Sequence, residues 1–180
     1  MRLARLLGRL TLGGIFFAHG TQKLFGWFGG SGPDATAETM DNLGMHPGKR
    51  NALAAGSAET VGGIGIALGA FTPAAAATLI ATMITAIRTV HLQKGFFNTE
   101  GGYEFNLSLI AALLILVDGG PGSPSLDSAL GLDDTGPGWA LLALAAGAAG
   151  STLAIAAGAK ATQPSTQASA PEPQPTPINN

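Results

Sequence analysis

The sequence has no cysteine, which excludes disulfides, thiolate catalysis, CxxC redox relays and cysteine-ligated zinc or iron–sulfur centres. Charge is also scarce: 11% of the 180 residues are charged, against ~25% in an ordinary soluble domain. That charge nearly cancels, with 9 Lys and Arg against 11 Asp and Glu. The balance argues against nucleic-acid binding, which needs a basic face. No HExxH motif or Glu-x-x-His pair occurs, so no metal site is expected, although His19, His91, Glu59 and Glu104 are the available ligands. Internal repeats are missing as well. So is a small-x-small cleavage site after the basic start at Arg2, Arg5 and Arg9: Phe16 and Phe17 run on through Ala18, His19 and Gly20 into further apolar residues. The first segment therefore reads as an uncleaved transmembrane helix, with a signal anchor as the alternative.

Hydrophobic residues make up 46% of the chain, and they cluster. Crossing ~30 Å of hydrocarbon as a helix takes ~20 residues. Candidate spans cover residues 6–25, the Ala- and Gly-rich 51–71, and 73–92, which opens with Pro73 at the first helical position. A fourth, 105–117, is long enough if its helix begins near Gly102 and carries Tyr103 and Glu104 inward. A fifth, 139–159, is Ala-rich and uncharged and ends at Lys160. The expected fold is an all-α integral membrane protein: a four-transmembrane-helix bundle over residues 1–130, with a peripheral fifth C-terminal transmembrane helix within 131–160. Residues 161–180, rich in Pro, Ser, Thr and Gln, should form a disordered tail. The Gly-rich 26–50 loop should hold a short amphipathic helix bearing Asp34, Glu38 and Asp41, and 118–137 reads as an acidic loop. The early arginines favour a cytoplasmic amino terminus, although Lys49, Arg50 and Lys94 would then lie outside.

Each of the first four stretches carries ionisable residues, which are costly in hydrocarbon and kept mainly where they pair or line a functional cavity. Let the side bearing the 26–50 and 93–103 loops be the loop side. At a rise of ~1.5 Å per residue, His19 lies ~9 Å, Glu59 ~12 Å and Arg88 ~6 Å from that end, with His91 and Glu104 at the rim. In a bundle these residues converge. His19, Gln22 and Lys23 share a face at i, i+3, i+4. Glu59 shares one with Gly56 and Gly63, where small residues let a neighbouring helix approach. Thr78, Thr82, Thr85 and Thr89 form one stripe leading towards Arg88. Two cations, Lys23 and Arg88, balance two carboxylates, Glu59 and Glu104, as a low dielectric requires.

Structural readings stand beside these. Lys23 would suit snorkelling to the interface, Arg88 with Glu104 a rim ion pair, and the threonines helix–helix contact. Phe25, Trp27, Phe28, Phe96 and Phe97 read first as interfacial anchors and second as the wall of an apolar ligand pocket. Glu59 is too deep to snorkel. Buried Glu and His can exchange protons near neutral pH, and a neighbouring Lys or Arg can polarise a carbonyl oxygen. Those are the needs of a site that binds a quinone head group and couples its reduction to proton uptake.

The chain resembles the DoxX family of small bacterial membrane proteins. The resemblance rests on His19-Gly20-Thr21-Gln22-Lys23-Leu24-Phe25-Gly26, Glu59 followed by Gly62-Gly63, and His91 followed by Gly95-Phe96-Phe97. Gly102-x-Glu104 and Ser125-Leu126-Asp127 continue it, so that it covers roughly residues 4 to 130. It implies a four-helix membrane bundle in redox or sulfur metabolism and oxidant resistance. The wider family is linked to a membrane subunit of thiosulfate:quinone oxidoreductase and to a complex containing superoxide dismutase and a sulfurtransferase. The fifth span and the Pro-rich tail depart from the pattern.

The reading that follows is a multi-pass protein of the bacterial plasma membrane, acting as a quinone-interacting subunit of an oxidoreductase complex. Glu59 and His19 would handle protons, while Gln22, Lys23, Arg88, His91, Glu104, Phe96 and Phe97 would bind the ligand. Quinone is the one cofactor suggested, and nothing in the sequence requires a bound flavin, haem or metal. A non-catalytic scaffold recruiting soluble redox enzymes through the 26–50 or 118–137 loop is the alternative. A small-molecule carrier using Glu59 as coupling site is a further one, disfavoured by the lack of an inverted repeat or broken helix.

Overall fold

The computed structural model describes residues 2–132 and 134–161, and the sequence's expected disordered tail lies outside them apart from Ala161. The regular structure of the described chain is all helical, with no strand. Seven α-helices are present among the described residues: α1 (Arg2–Phe25), α2 (Gly32–Asn42), α3 (Gly48–Leu68), α4 (Thr72–Ala86), α5 (Glu104–Gly119), α6 (Leu126–Leu130) and α7 (Pro137–Lys160).

Local chemistry sets several of the boundaries. Pro residues open α2, α4 and α7, where a missing N–H costs nothing and φ is already helical. Gly69, in the left-handed region, stops α3 before the tight turn into α4. The helix therefore ends at Leu68 rather than near residue 71. Likewise α5 starts at Glu104, with Tyr103 as its cap, not at Gly102. After Ala86, α4 widens to π-helical bonding over Ile87–His91 and ends in a tighter turn over Leu92–Lys94.

Among the described residues two helical stretches are long and apolar enough to cross a membrane, Thr72–Lys94 and Pro137–Lys160. Only 22% of each apolar window is buried inside the protein, so most of that surface must meet something other than the chain itself. The remaining long helices fall short by length or composition. α5 has 16 residues, and α1 and α3 mix Gly, Ala and charged residues into their apolar faces.

α1 and α3 make the closest helix pair, and glycines are the reason. A Cβ on Gly13 or Gly63 would overlap the other helix's backbone, and one on Gly20 would overlap Thr60. α4 packs against α3, α5 and α7. The apolar core, including Phe16, Ile66, Leu79, Ile80, Leu113 and Val117, lies among these helices. α7 is not peripheral as expected: Gly147 sits against Ile80 and Ala77, Ala143 joins the core, and Ser151 is fully buried. The 118–137 segment is also more than a loop, because it holds α6 and the buried Asp127.

Candidate ligand-binding site

A cavity of about 1060 Å³ opens at the loop side of the bundle, with walls from α1, α2, α3, α4, α5 and α7. Its chemistry centres on Glu59, which is 4% exposed. Lys23 Nζ pairs with Glu59 Oε2 and also donates to the His19 carbonyl at 3.4 Å. The pair exists because of the glycine contact: Gly20 brings α1 against Thr60, and Lys23, three residues further along, then reaches the carboxylate. Gly56 meets Leu24 on the same face, as the sequence pattern implied. A charged carboxylate this deep would be costly without a partner. Its other oxygen, Oε1, makes no hydrogen bond among the described residues, although Glu59 lines the cavity.

Other polar groups surround the same space. His91 lies at the rim, with Nδ1 2.7 Å from the Gly101 carbonyl. The His19 side chain lines the cavity and is exposed to it. Gln22 lines it as well, and its Nε2 donates to the Phe28 carbonyl at 3.3 Å. Asn106, 7% exposed, donates to Met83 Sδ at 3.4 Å and leaves its amide oxygen without a partner among the described residues. The rest of the lining is mostly small: Ala54, Ala55, Ala58, Ala77, Ala81 and Gly150 leave room that larger side chains would fill.

The structure therefore gathers His19, Gln22, Lys23, Glu59 and His91 around one space and leaves four expected residues outside it. Arg88 is exposed and donates to Thr152 Oγ1 on α7 at 3.1 Å. The widened turn is the cause. An extra residue per turn across Ile87–His91 separates Arg88 and His91 around the axis, sending one towards α7 and the other to the cavity. The threonine stripe consequently leads to His91 and not to Arg88. Glu104 is the first residue of α5, is half-buried and forms no ion pair with Arg88. Phe96 and Phe97 are exposed, Phe96 packing edge-on to Tyr103 at 5.6 Å and to Phe97 at 5.4 Å between ring centres. Phe16 and Phe105 supply the aromatic lining instead. Among the described residues no three His, Asp or Glu side chains come together as a metal ion would need.

Asn51, Asn106, Thr36 and the α7 residues were not anticipated. Asn106 follows Glu104 by two positions in an otherwise apolar run, so a buried amide was the available signal. α7 offered none, since its Ala and Gly content is uniform around the helix.

A family model described as DoxX matches residues 4–92. No curated protein and no solved structure matches the chain.

Proposed function

The chain belongs to the DoxX family and is a membrane protein, and from that premise we propose that it binds a quinone head group as the membrane subunit of a redox complex. The carrying observation is buried Glu59 paired with half-buried Lys23, with one carboxylate oxygen left over in a roomy, mostly apolar cavity. Such a site favours a small oxygen-bearing ring over an ion. A Lys N–H polarises a carbonyl oxygen, Glu59 holds or passes a proton, and His19 relays protons from the exposed mouth. Quinone reduction takes two electrons and two protons. The electrons come from a soluble partner acting on a reduced sulfur donor, and this chain's residues deliver the protons.

In this reading α1, α3, α4 and α5 cross the bacterial plasma membrane as a bundle and α7 crosses beside them, with the amino terminus in the cytoplasm. Support comes from the large apolar side chains on their outer faces: Leu7 and Leu10 on α1, Val61 and Ile64 on α3, Ile115 on α5 and Leu153 on α7. Superoxide dismutase and a sulfurtransferase are the partners that the family suggests. In lipid nanodiscs, ubiquinone or menaquinone should bind the native protein. Glu59→Gln should reduce binding and quinone-linked turnover by ~100-fold while leaving assembly intact. Unchanged binding in both Glu59→Gln and Lys23→Met would overturn the reading.

A scaffold role is favoured by one feature, the exposed acidic face of α2 (Asp34, Glu38, Asp41) beside exposed Trp27 and Phe28. In that case charge reversal on α2 should remove partner co-purification and oxidant resistance, and Glu59→Gln should spare both.

A further inference from the structure

The cavity is not confined to the interior of the bundle. α3 and α7 each pack along α4 but make no substantial contact with one another, and Gly158 meets Met45 only at the loop side. A slot is left between them, with α4 as its floor. Leu79 faces α3 across Gly62, and Ile80 and Ala81 face α7 across Gly147 and Gly150. Thr78, Thr82 and Thr85 lie on the remaining side, over the slot. Ala54, Thr78 and Ala146, which line the cavity on its three sides, are all exposed, so the slot is open laterally. Along α4 it runs from Ala77 to His91, ~20 Å at the helical rise.

The threonines decide what fits there. Thr78, Thr82, Thr85 and Thr89 donate to the carbonyls of Ala74, Leu79, Ala81 and Thr85 of their own helix at 2.8–3.0 Å. Their donors are spent on the protein itself, Thr85 Oγ1 also meeting Ser151 Oγ on α7 at 3.1 Å, and their neighbours in the lining are alanines. A polar solute would find no free hydroxyl donor on these threonines, whereas a hydrocarbon chain needs none. At the inner end wait the free Oε1 of Glu59 and the unpartnered amide oxygen of the nine-tenths buried Asn106.

We infer that the α3–α7 slot is a lateral entrance and tail site for a chain-bearing amphiphile drawn from the bilayer, whose polar head reaches Lys23 and Glu59. The inference rests on the head-group reading above and adds its route and chain specificity. One wall belongs to α7, which lies beyond the residues matched by the family model. Ala54 and Ala146 are the residues that would gate it.

The test uses the full chain in nanodiscs, with decylubiquinone and the chainless ubiquinone-0 as probes. Ala54→Phe with Ala146→Phe should weaken decylubiquinone binding at least about tenfold, the worth of some two buried methylenes, and leave ubiquinone-0 within about twofold. Ala145→Phe, on an exposed position outside the cavity lining, should change neither. Ala54→Leu with Ala146→Leu serves if the phenylalanine pair does not fold. Equal binding of both probes by native and blocked protein overturns the slot. If the native protein binds neither quinone, the head-group reading fails by itself. Long-chain lipids retained on the purified protein, counted by mass spectrometry, then decide. Their loss from the blocked variant but not from Ala145→Phe supports the entrance, and equal retention overturns it.

Discussion

The protein holds two buried charge clusters near opposite ends of its helices, and they are built differently. At the turn side, Asp127 is 4% exposed and Arg9 is 2% exposed. Asp127 accepts from Phe71 N at 2.6 Å, Thr72 N at 3.0 Å and Thr72 Oγ1 at 2.6 Å, so it caps α4 from another part of the chain. Arg9 faces it electrostatically and donates Nη2 to the Pro124 carbonyl at 2.6 Å. Backbone fills the surroundings, and Gly69 is there because a Cβ would collide with the guanidinium. At the loop side, Glu59 has one partner, Lys23, and space in front of it. Similar groups thus do different work. A carboxylate saturated by backbone and hydroxyl donors pins segments together, whereas one with an oxygen to spare beside a cavity is available to a ligand.

Substitutions can break or sharpen that contrast. Asp127→Ala should have the largest effect: it strands three donors and a buried guanidinium, a loss of about 3–5 kcal/mol. Thermal unfolding in mild detergent would show it as a large fall in midpoint, and a midpoint close to native would mean the turn-side cluster is not structural. Lys23→Met should cost less, ~1–2 kcal/mol, because the cavity lets the stranded carboxylate reach solvent or a proton. Pairing it with Glu59→Leu should restore most of that stability, since a buried ion pair replaced by apolar groups is often neutral. Failure of the double variant to recover would move Glu59 into the structural class. Arg88→Ala should do least, under ~0.5 kcal/mol, with quinone binding unchanged, because its bond to Thr152 lies on the exposed side of α4. A loss of ligand binding there would show that Arg88 swings inward in the complex.

Much of this was legible in the residues. Pro73 marked a helix start, the Gly56–Glu59–Gly63 face marked an intimate helix contact, and Glu59 stood out as a carboxylate too deep to reach the surface. The HGxQKLF run pointed to the side of the bundle where the cavity lies. Asp127 entered only as part of the Ser125-Leu126-Asp127 resemblance within an acidic loop, since nothing local says that it folds back to cap a helix more than fifty positions earlier. Arg88 was misplaced because its phase was carried through an ideal α-helix, and the widened turn broke that phase.

Hydropathy and helical period are properties of neighbours along the chain, so the residues alone determined an all-helical membrane protein and the end of it where His19, Lys23, Glu59 and His91 lie. Tertiary structure decided which of those side chains meet, that α7 closes one wall of the cavity, and that the threonine face opens outward. Those outcomes depend on how close two backbones can come and on how one helix is rotated against the next, and contacts between distant segments settle both.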